Sequence, residues 1–270
     1  MRAADAAGER AELAAELVAV VHAAGELALR YFGSPLKTWT KARNSPVSEV
    51  DIAVDALLRE RLAALAPDYG WLSEESEDDP ARLAARRVWI VDPIDGTRAF
   101  LAGRTDWAIS AALAEAGRPI LAALFAPAGR ETLVAVAGAG ATCNGEPITV
   151  RPGEQLAGAL VAGPQSHLKR LAAIDPQIVP APKVYSLALR LARVAQGRLD
   201  AAFAAASGYD WDLAAADLLV HEAQGALTTI AGGSLTYNRP EPTHGALVAA
   251  GRPRHRMLID LLRTRQAEFR

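Results

Sequence analysis

Apolar positions recur at helical spacing from residue 9 to 32 and give way at Gly33 and Pro35, which predicts a long amphipathic helix at the start of the chain. The polar stretch 36–48, with Lys37, Lys41, Arg43 and Asn44-Ser45-Pro46, reads as a mobile loop. A second helix is expected from Asp51 to Ala66, stopped by Pro67, with Ile52, Val54, Leu57 and Leu58 turned inward. Trp71-Leu72-Ser73 reads as a short strand leading into the acidic run Glu74 to Asp79, and Val88-Trp89-Ile90-Val91 has the length of a buried strand. Asp92 to Thr97 follow that strand, then a brief helical stretch to about Leu101. Residues 107–114, 119–126 and 131–137 read as consecutive strands, with turns at Ala116-Gly117-Arg118-Pro119 and Pro127-Ala128-Gly129.

Pro152-Gly153 divides an N-terminal α+β half, 1–152, from a C-terminal α/β half, 153–270, the two forming one catalytic unit. In the second half a strand (159–162), a helix (about 186–196), a strand (199–204), a helix after Asp212 and strands near 226–230 and 246–250 precede a closing helix, 253–268. The succession predicts a layered α/β (α+β) architecture.

Composition narrows the classes. The 270 residues are 51% hydrophobic and 22% charged, as in an ordinary globular protein. With 29 Lys and Arg against 31 Asp and Glu, and no basic stripe, a duplex-binding role is disfavoured. A single cysteine, Cys143, excludes an intrachain disulfide and suits a reducing compartment. The N-terminus, with Arg2 followed by Asp5, Glu9 and Glu12, lacks the apolar core of a signal peptide, and no run approaches the roughly 20 apolar residues that span a bilayer. A cytoplasmic location is expected, with no nucleic acid polymer and no membrane as partner; a homodimer is left open.

The candidate chemistry sits in four segments. In Trp89-Ile90-Val91-Asp92-Pro93-Ile94-Asp95-Gly96-Thr97 an apolar strand ends in two carboxylates, with Pro93 stiffening the turn between them. The amides of Gly96 and Thr97 then open a helix, so hard oxygen ligands for Mg²⁺ and N–H donors for a phosphate meet at one turn. Glu74 and Glu75 close another strand; Asp212 opens the helix of Asp210-Trp211-Asp212; Asp51 lies in the first turn after Ser45-Pro46-Val47-Ser48. Each has a plainer reading: Asp92 or Asp95 as turn residues, 74–79 as a solvated face, Asp212 as an N-cap, Asp51 as a dipole-favoured acid.

Taken together, and in this order, Glu74-Glu75, Asp92-Pro93-Ile94-Asp95-Gly96-Thr97 and Trp211-Asp212-Leu213-Ala214-Ala215 resemble the inositol monophosphatase superfamily, from about residue 10 to the C-terminus. The resemblance implies a five-layer αβαβα sandwich of the sugar-phosphatase type using two or three Mg²⁺ ions. It implies that Glu74 and Asp92, with the Ile94 carbonyl, hold one ion and that Asp92, Asp95 and Asp212 hold the second. Thr97, partnered by Asp51 and with Glu74 in reach, would position and deprotonate the attacking water. Asp95, Gly96, Thr97, Arg98 and Asp212 would meet the substrate, a small phosphorylated metabolite. Because clustered carboxylates repel one another, Asp95→Asn is expected to leave the metal-free protein folded and no less stable.

For the substrate, Arg98-Ala99-Phe100 looks like the 3'(2'),5'-bisphosphate nucleotidase branch, and 201–207 lacks the carboxylate that inositol enzymes use for sugar hydroxyls. Against that branch, Pro164-Gln165-Ser166-His167 lacks its arginine and Tyr185-Ser186 replaces its Gly-Ser; Lys41, Arg98, Lys169 or Lys183 are the cations left to grip a second phosphate. Hydrolysis of adenosine 3',5'-bisphosphate to AMP is the first expectation. An inositol-1-monophosphatase, or a related sugar or histidinol phosphatase, is the alternative, and a non-catalytic metal- or phosphate-binding protein the rival from another class. A haloacid-dehalogenase mechanism needs Asp-x-Asp at the strand end, whereas Asp92 and Asp95 are three apart with Pro93 between them.

Overall fold

The structure, a computed structural model, describes residues 2–41 and 46–269, with side chains from Gly8 onward. The side chains of Arg2 and Asp5, and Arg43, Asn44 and Ser45 in the polar loop, lie outside the described residues. The chain opens with helix α1 (Arg2–Leu29) and a short antiparallel pair, β1 (Thr38–Thr40) with β2 (Pro46–Ser48), so part of the stretch read as loop is strand. Helix α2 (Glu49–Leu65) begins at Ser48, whose hydroxyl accepts from the amides of Val50 and Asp51 while Asp51 reaches back to the Ser48 amide. Its inward face differs from the expected one. Ile52 is exposed, and Asp51 and Asp55 share the buried stripe with Val54, Leu58 and Leu62.

Strands β3 (Gly70–Ser73) and β4 (Arg87–Asp95) pair in parallel. After helix α3 (Thr97–Leu101), β5 (Ala108–Glu115), β6 (Arg118–Ala126), β7 (Glu131–Val136), β8 (Gly140–Cys143) and β9 (Glu146–Pro147) extend an antiparallel meander, giving a seven-stranded sheet in chain order. The second sheet contains β10 (Leu160–Ala162), β11 (Val179–Pro180), β12 (Ala201–Ala204), β14 (Gly225–Thr229) and β16 (Leu247–Gly251), in the order β11-β10-β12-β16-β14. Its connections carry α4 (Gln165–Ile174), α5 (Leu187–Ala195), α6 (Asp210–Glu222) and, at the end, α7 (Arg252–Leu262). A two-residue pair, β13 (Gly208–Tyr209) with β15 (Thr243–His244), sits at the entrance to α6. The closing helix is shorter than expected, since only a 3₁₀ turn at Gln266–Glu268 follows α7. Helix α4, ten residues that bury Leu168 and Leu171, and the two-residue strands were not among the expected elements, the strands being too short to show a pattern.

Three apolar cores separate five layers. Helices α1 and α2 cover one face of the seven-stranded sheet through Leu17, Val21, Val54 and Leu58. Helices α5 and α6 fill the space between the two sheets, and Leu168 of α4 with Leu258 and Leu262 of α7 covers the outer face of the second sheet. This is the αβαβα order. Alternation along β5 makes the layering visible: Ala108, Ala112 and Ala114 face α5 and α6, whereas Ile109, Ala111 and Leu113 face α1 and α2. No helix among the described residues is long and apolar enough to cross a membrane.

The first layer is close-packed at Gly25 of α1. A Cβ there would lie 2.4 Å from two ring carbons of Phe125 and 2.8 Å from Pro127. Gly25→Ala gains about 1 kcal/mol of helix propensity and loses about 1–3 kcal/mol to overpacking. Urea unfolding should therefore show a net loss of stability; a gain would contradict this packing.

Candidate functional site

The site begins with an irregularity in β4. Val88 and Ile90 face α5 and α6, while Trp89 and Val91 face α1 and α2. Regular alternation would send Asp92 to the α6 side and Asp95 to the opposite side. Asp92 instead pairs with Ser110 and Asp95 with Ala108, so three steps on β4 match two on β5. This bulge absorbs Pro93, which has no N–H to give a ladder, sends Ile94 into the α1/α2 core and returns Asp95 to the face of Asp92. The strand thus runs through both carboxylates rather than ending before them.

Helix α6 supplies the third acid from the other sheet's side. Asp212 lies in its first turn and accepts the Tyr209 amide at 2.7 Å. Tyr209, not Asp212, is the N-cap; Asp212 is the third helical residue, reaching back to the cap amide, and it faces the other acids as well: single oxygens of Asp92, Asp95 and Asp212 lie within 4.8 Å of one another. Glu74 lines the same cavity of about 350 Å³, with Pro46, Ile94, Gly96, Thr97, Arg98 and Tyr185. It stands outside the tight trio, and Lys41 Nζ lies 3.0 Å from its Oε1 and 2.7 Å from Glu75 Oε1.

The electrostatics follow from burial. Asp92 and Asp212 are held well above the ordinary carboxylate range, first by desolvation and then by repulsion among Glu74, Asp95 and each other. Asp95 is pushed up to about 6 by burial, moderated by hydrogen bonds from the Ser186 hydroxyl and the amides of Leu187 (3.1 Å) and Ala188 (2.6 Å). Burial likewise takes Glu75 to about 7, against the pull of Lys41. The donor set is all oxygen, hard and short of positive charge, which fits a divalent cation such as Mg²⁺, Ca²⁺ or Mn²⁺ and not a thiolate- or imidazole-seeking metal.

Around the acids, Thr97 Oγ1 lies 3.0 Å from Asp51 Oδ1 and 3.1 Å from the Ile94 carbonyl. Ser48 holds the other Asp51 oxygen through its amide (2.8 Å) and hydroxyl (2.5 Å). Gly96, in the left-handed region at φ 93°, could not carry a Cβ without pressing on the Asp106 carbonyl and Ser186 backbone at 3.1–3.3 Å. Arg98 lies at the cavity with its side chain exposed. His22 bonds Thr132 and His221 bonds Asp217, both away from the acids, and Cys143 is half-buried on β8.

A second cavity of about 490 Å³ adjoins the first, sharing Lys183 and Asp212 with it. Gln165, Arg190 and the run Ala205-Ala206-Ser207-Gly208 line it. The Arg190 guanidinium donates to two carbonyls, Phe203 (3.2 Å) and Val184 (3.0 Å), and burial lowers its pKa. Lys183 Nζ rests 3.9 Å from the Tyr185 ring centre. Arg190 escaped the sequence reading because a cation in an otherwise apolar helix stripe looks like a surface residue. Ser186 carried a detectable signal, a Ser opening the Leu-rich run of α5.

A family model described as the inositol monophosphatase family matches residues 9–267. The inositol-1-monophosphatase of Rhizobium meliloti is 35% identical over 235 residues, 83% of this chain and 88% of that protein. The 3'-phosphoadenosine 5'-phosphate phosphatase of Mycobacterium leprae is 34% identical over 206 residues, covering 71% and 73%. Among solved structures, the extragenic suppressor protein SuhB of Bartonella henselae superposes with a TM-score of 0.83 at 26% identity, over 94% of this chain and 99% of that one.

The geometry moves the informative substitution from Asp95 to Asp92. Asp95 holds the first amides of α5, and an asparagine there would turn its own N–H₂ toward them, so Asp95→Asn should destabilise the metal-free protein. Asp92 accepts only the Ile94 amide, at 3.0 Å among the bonds described, which an asparagine oxygen retains. Between the unfolded carboxylate pKa near 4 and the raised folded values, about 6 and about 7 at Asp95 and Glu75, the folded state binds more protons than the unfolded chain. Metal-free stability should therefore be fullest at the acid end of that window and fall as pH rises through it. In thermal melts without metal, Asp92→Asn should gain stability over the parent at pH 7.5, and less at pH 5. An equal or inverted gain would show that Asp92 carries no buried charge strain.

Proposed function

This chain belongs to the inositol monophosphatase family and is a phosphatase acting on phosphomonoesters, and from that premise we propose that it is a Mg²⁺-dependent 3'(2'),5'-bisphosphate nucleotidase that converts adenosine 3',5'-bisphosphate to AMP and phosphate. The cavity beyond Asp212 carries the substrate reading. It presents Lys183 and Arg190 where a second phosphate would lie, and small or hydroxyl side chains at Ala205, Ala206 and Ser207 where a polyol would need an acceptor. A site lacking that acceptor leaves ring hydroxyls unpaired, which weighs heavily in discrimination. Gln165 lines this cavity, whereas His167 is buried against Phe203 and Phe269, so the 164–167 stretch offers an amide rather than a cation.

Glu74, Asp92 and the Ile94 carbonyl would hold one ion, and Asp92, Asp95 and Asp212 a second. Bound there, Mg²⁺ supplies the positive charge that offsets the phosphate oxygens and the Lewis acidity that favours attack by water near neutral pH. The chain's own groups do the positioning. Thr97 has one hydroxyl proton; passed along its hydrogen bond to Asp51 as the Thr97 oxygen takes a proton from the attacking water, it leaves Thr97 a neutral hydroxyl, Asp51 protonated and the Ile94 carbonyl free to face a cation. Glu74, which lines the same cavity, would be a second group to take that proton. Gly96, Thr97 and Arg98 line the wall against which the phosphate would sit. Because the proposed ligands come from both 1–152 and 153–270, the two halves act as one catalytic unit in a cytoplasmic protein.

Inositol 1-phosphate is the second reading, favoured by the similarity to the Rhizobium meliloti enzyme. Steady-state kinetics at fixed Mg²⁺ and neutral pH should give adenosine 3',5'-bisphosphate the higher kcat/KM. Lys183→Ala should raise KM for that substrate about tenfold, as loss of one charge-assisted contact worth roughly 1.5 kcal/mol requires, while sparing p-nitrophenyl phosphate. Preference for inositol 1-phosphate, or bisphosphate kinetics indifferent to Lys183, would reverse the assignment. Thr97→Val should separately lower kcat by about 10²-fold or more with KM little changed; a fall in KM alone would remove Thr97 from the chemistry.

A further inference from the structure

The buried carboxylate of Asp55 has no part in the chemistry above. It is 7% exposed, lies one helical turn after Asp51 on the inward face of α2, and is absent from the lining of the metal cavity. Its two oxygens accept from two serine hydroxyls, Ser73 at Oδ1 and Ser76 at Oδ2, both at 2.5 Å. Those serines flank Glu74 and Glu75. Ser73 Oγ also receives the Glu75 amide at 3.4 Å, Ser76 Oγ receives Trp71 Nε1 at 3.1 Å, and the Glu74 amide donates to the Val91 carbonyl at 3.3 Å, next to Asp92.

The tetrapeptide 73–76 is thus tied down at both ends by one carboxylate, with its middle fastened to β4. We propose that Asp55 is a positioning residue for the metal site: it fixes Glu74 for cation binding by clasping the hydroxyls of Ser73 and Ser76. The inference rests on the reading of Glu74 as a metal ligand. The physical need is specific. The segment follows the short strand β3 and carries five acids between Glu74 and Asp79, which repel one another and favour an open, solvated loop. Lys41 bridges Glu74 and Glu75 from outside, and an incoming cation must displace it from Glu74. A clasp that involves neither Lys41 nor the cavity keeps Glu74 in register during that exchange. A carboxylate suits the task because each of its two oxygens accepts one hydroxyl, whereas an amide side chain offers an acceptor at only one of those two positions.

Calorimetric titration of the metal-free, full-length protein with Mg²⁺, without substrate, tests this. Asp55→Asn and Ser76→Ala should each weaken Mg²⁺ binding by about 10–100-fold, the range found when a ligand's hydrogen-bonded support is removed, with metal-free melting little changed. In a Glu74→Gln background, where that ligand is already gone, Asp55→Asn should add nothing further. A purely structural role would lower the melting temperature and leave Mg²⁺ affinity intact. That result, or an Asp55→Asn effect that persists in full beside Glu74→Gln, overturns the inference. Should Asp55→Asn fail to fold, the half-buried Ser76→Ala decides alone. If the parent binds no Mg²⁺, the reading of the site falls and takes this inference with it; normal parental binding with unaffected variants sinks the inference only.

Discussion

The arrangement of the site depends on the extra residue in β4. Strand geometry sends successive side chains to opposite faces, so two acids three positions apart cannot share a face unless the register slips. The bulge between Asp92 and Asp95 provides that slip, and the face it selects is the one toward α6, where Asp212 waits. Pro93 and Ile94 make the bulge inexpensive, one lacking a donor to lose and the other filling the α1/α2 core. Asp95 then contributes a second time by capping α5, so the helix layer between the sheets is tied to the same strand that carries the acids.

Gathering carboxylates in a half-buried cleft opposes folding, and the surroundings show how the opposition is contained. Serine and threonine hydroxyls and backbone amides, rather than cations, meet most of these acids: Ser186 at Asp95, Ser48 and Thr97 at Asp51, Ser73 and Ser76 at Asp55, and the Tyr209 amide at Asp212. Neutral donors hold a carboxylate in place without cancelling its charge, so the cluster keeps its attraction for an added cation. Lys41 is the exception and sits at the rim, on Glu74 and Glu75. Helix α2 is the spine of this arrangement, since its two inward acids, one turn apart, hold the Thr97 turn and the Glu74 segment together.

The two adjoining cavities divide the work. The acids and the Thr97 turn form one, and Lys183 with Arg190 gives the other a positive character, the two meeting at Asp212 and Lys183. The Arg190 guanidinium bonds two carbonyls and feels the field of Asp95 against the cost of burial, and it remains a positive group beside this cavity that suits an anionic ligand. That asymmetry, rather than the acid cluster, carries the substrate proposal.

Much of this protein was legible in the chain itself. Helical spacing marked α1 and α2, short runs between turn signals marked the central meander, and the Glu-Glu, Asp-Pro-Ile-Asp-Gly-Thr and Trp-Asp segments marked the family, because such signals are local and survive without neighbours. The sequence alone also located Asp92 and Asp95 on one tight turn. It could not say that they lie within a strand, since a bulge is defined by the partner strand's register. Ile52 read as a core residue and Asp55 was not singled out, because a helix's inward face is chosen by what packs against it, and here that includes a pair of serines and a threonine. Arg190 drew no notice while its neighbours in the chain were apolar; its meaning came from Lys183, Ser207 and Asp212, brought beside it by the second sheet. Local composition determined the elements and the chemistry available, and tertiary packing decided which charges face each other, because electrostatic contact depends on distances in space that sequence separation does not encode.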